Sequence, residues 1–342
     1  MPGPDSSGVA DVRPDPGDPP GRDRTLADAL RAAERILAAA GVATPRADAE
    51  LLAGHLMGLG RGEVRAAAIL GRACPEQLMD LVAERAGRIP LQHLTGRAPF
   101  RGLDLAVGPG VFVPRPETEA VAQVAIEEAQ RVVAGGRQPL VVDLCAGSGA
   151  IAFAVAAEVP AARVHAVELD PLAHAWAERN GTEHATSQVT LYLADARSAL
   201  AELDGSVDVV VSNPPYVPAG AVPVDPEVRD HDPQIALYGG GVDGLDLARG
   251  IVLAAARLLA SGGLFVMEHA DVQADAVRRL VTASGAFSDV TTRADLTGRD
   301  RMVIARRAVN DPSSAPGPEG SVEHADLGCA APGDLDVAHS PS

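Results

Sequence analysis

The sequence predicts an α/β protein, a seven-stranded, mainly parallel sheet with helices on both faces, preceded by a small helical domain. Three observations carry this. From Thr118 to about Arg307, short β-branched apolar runs alternate with helical segments. Within that stretch, Val141-Val-Asp-Leu-Cys-Ala-Gly-Ser-Gly149 reads as a strand, a glycine turn and the start of an apolar helix. Before it, apolar residues recur at helical spacing between Thr25 and Arg88.

The helical region comes first. Leu26, Leu30, Ala33 and Leu37 form one stripe, ended by Gly41. A second segment, Arg46 to Leu59, places Ala49, Leu52, Ala53, Leu56 and Met57 on one face, and a third spans Pro75 to Arg88. No catalytic constellation lies here, so residues 25–89 read as a docking or scaffold module. Residues 90–113 change character: Leu103-Asp-Leu-Ala-Val107 lies between Gly and Pro, which predicts a β-hairpin linker. Residues 114–308 form the α/β domain. Its expected strands are 140–144, 163–169, 189–193, 207–212, 264–268, 287–292 and 302–306.

Residues 1–24 and 309–342 are rich in Pro, Gly and acids, with few large apolar side chains, and are expected to be disordered tails. The chain has 342 residues and a net charge of −17; all 29 basic residues are Arg. Six acids and no Arg or Lys lie in residues 308–342, and the middle remains acidic without them. Such a body, lacking basic clusters, argues against affinity built on phosphate contacts and suits a protein partner. Cys74, Cys145 and Cys329 form neither a zinc pattern nor a disulfide framework, which fits a reducing compartment. With no signal peptide or membrane-spanning run, a cytoplasmic monomer without a metal is expected.

The glycine turn has only Gly147 and Gly149, not the full dinucleotide pattern, which favours an amino-acid-bearing methyl donor over a dinucleotide. Cys145, Ala146, Gly147, Ser148 and Gly149 are its candidate contacts. Glu168, ending the next strand, can accept from both ribose hydroxyls. Asp170, beside Pro171, reads as a helix cap. Asp195, followed by Ala196, reads either as an acceptor for an adenine amino group or as a surface cap.

The strongest chemical signal is Asn213-Pro-Pro-Tyr216, directly after the apolar strand Val207 to Ser212. Pro214 and Pro215 hold the chain extended and remove two backbone donors, leaving carbonyl acceptors without competing N–H groups. The Asn213 side-chain oxygen adds an acceptor, and Tyr216 can lie flat against a planar group. Together these suit a planar NH2, both of whose hydrogens must be received. Its nitrogen is a poor nucleophile, and pinning its hydrogens turns the lone pair toward a methyl donor. No strong general base is evident, and none is required; Cys145 is not expected to act as a nucleophile.

These residues resemble the peptide chain release factor N5-glutamine methyltransferases, the PrmC or HemK family, over nearly all of Thr25 to Arg307. The resemblance rests on Pro90-Leu-Gln-His-Leu-Thr-Gly96, Phe112-Val-Pro-Arg-Pro-Glu-Thr-Glu119, the Asp143–Gly149 turn and Asn213-Pro-Pro-Tyr216. Ala236-Leu-Tyr-Gly-Gly240, Asp243-Gly-Leu245, Glu268-His269 and Gln273 add to it. It implies a Rossmann-like class I methyltransferase domain dependent on S-adenosylmethionine. The implied substrate is the Gly-Gly-Gln glutamine of class I release factors, with no direct contact to nucleic acid and no membrane. By position, residues 145–149, Glu168, Asp195, Ala196 and Asn213 would contact the donor, and residues 213–216 would hold the glutamine amide. Phe112 and Pro114 would wall the donor pocket, and Arg115 would pair with an acid. Two departures stand out: Cys145 replaces the family's usual Gly, tolerable if its φ is negative, and Ala196 replaces a common aromatic. A nucleic-acid N6-adenine-type amino-methyltransferase is the alternative, disfavoured by the acidic body. A non-catalytic binding module is disfavoured by the intact acceptor element.

Overall fold

The structure, a computed structural model, describes residues 25–184 and 186–309. Apart from Val309, the tails expected at 1–24 and 309–342 lie outside the described residues, as does Cys329. The helical region holds five helices: α1 (Leu26–Ala39), α2 (Pro45–Met57), α3 (Arg61–Ile69), α4 (Leu78–Ala86) and α5 (Leu91–Thr95). Thr25 caps α1, its hydroxyl accepting from the Asp28 N–H at 3.2 Å. The stripe Leu26, Leu30, Ala33 and Leu37 is fully buried against Leu52 and Ala53 of α2 and Leu78 and Val82 of α4. Two helices went unanticipated. The buried face of α3 is only Val64, Ala67 and Ala68, and α5 is one turn between Pro90 and Gly96, too short to show a period.

Strands β1 (Arg97–Phe100) and β2 (Leu103–Ala106) form the expected hairpin, a two-stranded antiparallel sheet of its own. Next come α6 (Thr118–Ala134), β3 (Leu140–Leu144), α7 (Ala150–Glu158), β4 (Arg163–Glu168), α8 (Pro171–Glu183), β5 (Val189–Leu193) and β6 (Val207–Ser212). After these come α9 (Pro226–His231), α10 (Gln234–Leu237), α11 (Asp246–Leu258), β7 (Leu259–Glu268), α12 (Ala274–Ala283), β8 (Phe287–Ala294) and β9 (Asp300–Arg307). The seven-stranded sheet runs β5-β4-β3-β6-β7-β9-β8, parallel up to β7, with β9 antiparallel to both β7 and β8. β7 begins earlier than the sequence suggests, because Ala260-Ser-Gly-Gly263 lies within an irregular stretch of its pairing with β6.

The strands are apolar on both faces because both are covered. On β6, Val209 and Val211 join the core under α6 and α7, while Val210 joins the core under α11 and α12. Period-two alternation here separates two cores rather than core from solvent. No helix among the described residues is long and apolar enough to cross a membrane.

An ion-pair cluster fastens the helical region to the segment that follows the Pro-Pro element. Arg85 of α4 pairs with Asp48 at 2.8 Å and with Glu227 of α9 at 2.7 Å, and Arg88 also pairs with Glu227. Hydrogen bonds from Arg88 and Arg85 hold the Glu227 carboxyl well below its usual range, against the opposing effect of burial. Glu227→Ala would leave Arg85 paired with Asp48 alone and remove from Arg88 its nearest carboxylate. A loss of about 1–3 kcal/mol is expected, measurable by urea unfolding.

Candidate active site

Strand order reverses at β3, which has β4 on one side and β6 on the other. Ligands of open α/β sheets bind at the carboxyl ends of strands beside such a point. A cavity of about 720 Å³ lies there. It is lined by Cys145, Ala146, Gly147, Ser148, Glu168, Asp195, Ala196, Asn213, Pro214, Pro215 and Tyr216, which the sequence singled out, and by Phe112, Pro114 and Arg115.

Gly149 does not line it. With φ +83° it caps α7, and a Cβ there would lie 2.3 Å from the Phe153 ring, so its glycine serves close packing beneath the turn. Asp143 also lies below, accepting from the Ala152 N–H at 3.1 Å, and burial pushes its carboxyl up to about 7. Cys145 departs from expectation. Its φ is +68°, in the left-handed region where a non-glycine residue costs about 1–2 kcal/mol. The turn keeps the glycine-like backbone although the side chain has changed. Burial and the charge of Glu168 push the thiol up, away from the reactive thiolate.

Glu168 accepts from the Gly147 N–H at 2.7 Å and from the Leu169 and Asp170 N–H groups, each at 2.8 Å. Its carboxylate therefore ties the end of β4 to the glycine turn. Asp170 caps α8 through the Leu172 N–H at 2.8 Å. Asp195 lines the cavity, and its carboxylate accepts from the Arg197 N–H at 2.9 Å and pairs with the Arg197 guanidinium at 2.6 Å, as a cap would. Arg115 pairs with Asp232 at 2.6 Å and lies 5.0 Å from the centre of the Phe112 ring.

Across the cavity, residues 213–216 leave the end of β6. The Tyr216 and Val217 N–H groups donate to the Leu237 carbonyl at 3.1 and 2.8 Å. Gln273 donates to the carbonyls of Tyr216 at 2.9 Å and Asp243 at 2.8 Å, clamping the two segments together. A Cβ on Gly239 would lie 2.5 Å from the Pro215 oxygen, and one on Gly244 would lie 2.2 Å from the Tyr216 oxygen. The glycine-rich segment thus packs backbone to backbone on this corner. Among the described residues, no backbone N–H donates to the Pro214 or Pro215 carbonyl outside the regular elements.

Model-to-chain comparison finds the PrmC N-terminal domain at residues 28–96 and the methyltransferase small domain at residues 103–225. A release factor glutamine methyltransferase of Streptomyces coelicolor is 50% identical over 287 residues, 83% of this chain and 98% of that protein. Its counterpart in Mycolicibacterium smegmatis is also 50% identical, over 82% of this chain and 98% of its own. The chain belongs to the release factor glutamine methyltransferase family. It is a methyltransferase, and its seven-stranded sheet is the methyltransferase fold. A more divergent relative is a 4-amino-L-phenylalanine/4-methylamino-L-phenylalanine methyltransferase of Streptomyces pristinaespiralis, 41% identical over 79% of this chain and 91% of that protein.

Within this family member, two cavity residues had no role in the sequence reading. Thr118, the first residue of α6, donates to Glu268 at 2.8 Å, and Asn213 Nδ2 donates to Thr118 at 3.1 Å. The Tyr216 hydroxyl points to the other Glu268 oxygen, 3.4 Å away, so its ring is anchored at its tip. Glu268, only 3% exposed, is a carboxylate in a site where no base was expected. Thr118 and Glu268 stood inside motifs quoted for the resemblance, but 150 residues separate them and no spacing rule joins them.

Proposed function

We propose that this chain transfers a methyl group from S-adenosylmethionine to the side-chain amide nitrogen of the glutamine in the Gly-Gly-Gln loop of class I release factors. One observation carries the reading: a single cavity joins the glycine turn and Glu168 to the acceptor corner Asn213–Tyr216. The residues suit such a donor. Glu168 presents a fixed carboxylate for ribose hydroxyls, the turn from Cys145 to Ser148 leaves backbone exposed for an amino-acid moiety, and Asp195 with Ala196 borders the remaining end.

The sulfonium methyl of the donor supplies the transferred carbon, and the methylated nitrogen gives up one proton to solvent afterwards. The chain's own part is positional. Asn213 Oδ1 and the Pro214 carbonyl receive the two amide hydrogens, which biases the nitrogen away from planarity and aims its lone pair. Their dipoles face the positive charge that develops on nitrogen. Orienting a weak nucleophile in this way accounts for about 7–11 kcal/mol of barrier in favourable cases. Pro215 holds the corner extended, and Tyr216, fixed at its hydroxyl, borders the amide.

An aryl amine is also a planar NH2 whose lone pair is delocalised, and the relative named for 4-amino-L-phenylalanine gives that second reading a specific basis. Purified protein with labelled donor, offered release factor, 4-aminophenylalanine or nucleic acid in parallel, separates the readings. Label on the release factor glutamine is expected. Label confined to the free amino acid or to nucleic acid would overturn the glutamine assignment.

A further inference from the structure

We propose that Thr118 and Glu268 are positioning residues that fix the Asn213 amide with its oxygen toward the reacting nitrogen, and that loss of the Glu268 charge turns that amide round. The inference rests on the acceptor role given to Asn213 above.

The hydrogen-bond chain has only one sense that satisfies every donor. A carboxylate can only accept, so Glu268 takes the single proton of Thr118 at 2.8 Å. The Thr118 oxygen must then accept from Asn213, which brings Nδ2 to it at 3.1 Å and leaves Oδ1 on the other side. Among the described residues, no other hydrogen bond of the Asn213 side chain selects between the two orientations of its amide, whose ends are nearly equal in size. The order of the chain is therefore set at its buried end and read out in the cavity.

Protonation of Glu268 removes that constraint. The carboxylic acid now has a proton of its own to donate to Thr118, and the Thr118 proton is released toward Asn213. The amide then satisfies Thr118 with Oδ1 and presents Nδ2 to the substrate. Two NH2 groups face each other, and the substrate hydrogens lose an acceptor. Burial pushes the Glu268 carboxyl up to about 7. The groups facing it from neighbouring elements are Thr118 and Tyr216, which hydrogen-bond to it, Arg301 on β9, whose charge favours the ionised form, and Glu117 before α6, whose charge opposes it.

The test is the pH dependence of kcat on release factor for the wild type, Glu268→Gln, Thr118→Val and Thr118→Ser, with donor affinity and melting temperature measured for each. Wild-type kcat is expected to rise with pH to a plateau, falling about tenfold per pH unit on the acid side of an inflection near 7. Glu268→Gln has no charge to titrate and can present either its oxygen or its NH2 to Thr118 at any pH, so the Asn213 amide is no longer held one way and a flat profile at reduced kcat is expected. Thr118→Val should lose about tenfold in kcat on the plateau and lose the inflection, with donor affinity unchanged, whereas Thr118→Ser restores both. An inflection that persists in Glu268→Gln would overturn the proposal. So would a Thr118→Val enzyme with wild-type kcat and profile, because Glu268 would then act without passing through Thr118. If the unaltered protein labels no glutamine at all, the acceptor reading itself fails, an outcome distinct from either.

Discussion

Asn213→Ala is expected to lower turnover by about 10²–10³-fold while leaving the affinity for the methyl donor within a few-fold of wild type. The magnitude follows from the nucleophile. An amide nitrogen shares its lone pair with its carbonyl, so attack requires that conjugation to be weakened, and the enzyme does this by holding both hydrogens. On the proposed reading Asn213 Oδ1 is one of two acceptors, and alanine deletes it without replacement. On the same reading, donor binding draws chiefly on Glu168, the glycine turn and Asp195, which the substitution leaves in place, so it should survive. The substitution also leaves Thr118 without its Nδ2 partner, but Thr118 keeps its bond to Glu268 at 2.8 Å, and the fold should persist. Single-turnover kinetics alongside equilibrium donor binding check the split. Parallel loss of both would place Asn213 in donor binding rather than in catalysis.

Gly244→Ala, in a residue that does not line the cavity, is expected to cost about 10²-fold in kcat. A methyl group there would lie 2.2 Å from the Tyr216 carbonyl oxygen and 2.8 Å from the Pro218 nitrogen, both backbone atoms that cannot rotate away. Its φ of +75° adds a further penalty of about 1–2 kcal/mol for any side chain. Relief comes only by moving one segment off the other, which shifts the row of carbonyls that must meet the amide. A displacement of about 1 Å at a reacting centre commonly costs that factor. Gly71→Ala, at φ +70° with nothing within 4 Å of the added carbon, serves as the control for backbone strain alone. It should leave kcat unchanged, as checked by steady-state assay of the two variants side by side.

The sheet was legible because its strands are buried on both faces. Val209 to Val211 form an apolar run for that reason, and five of the seven strands begin where the sequence places them. β7 was shortened in the reading because Gly262 and Gly263 imitate a turn inside a strand. In the helical region, α3 was missed because an alanine-rich face gives little contrast between apolar and polar positions. At the site, residues clustered in sequence reach one cavity together, as 145–148 and 213–216 do, while Gly149 lies beneath it. What could not be recovered was the bond from α6 to the end of β7. Thr118 looks like an ordinary helix-start threonine, and Glu268 like a polar residue closing a strand. Only the folded chain shows that the two meet, buried, behind Asn213. The backbone of Cys145 was not legible either: cysteine is easily tolerated only at negative φ, yet the turn's geometry overrides the residue's preference.

The central claim is that the oxygens of Asn213 and Pro214 receive the two hydrogens of a glutamine amide. The most direct measurement is a crystal structure of the protein with demethylated donor and a peptide carrying the Gly-Gly-Gln sequence. The account predicts the glutamine amide nitrogen within hydrogen-bonding distance of Asn213 Oδ1 and of the Pro214 carbonyl, with Asn213 Nδ2 on Thr118. A peptide whose glutamine lies outside this corner, or an Asn213 amide facing it with nitrogen, would contradict it.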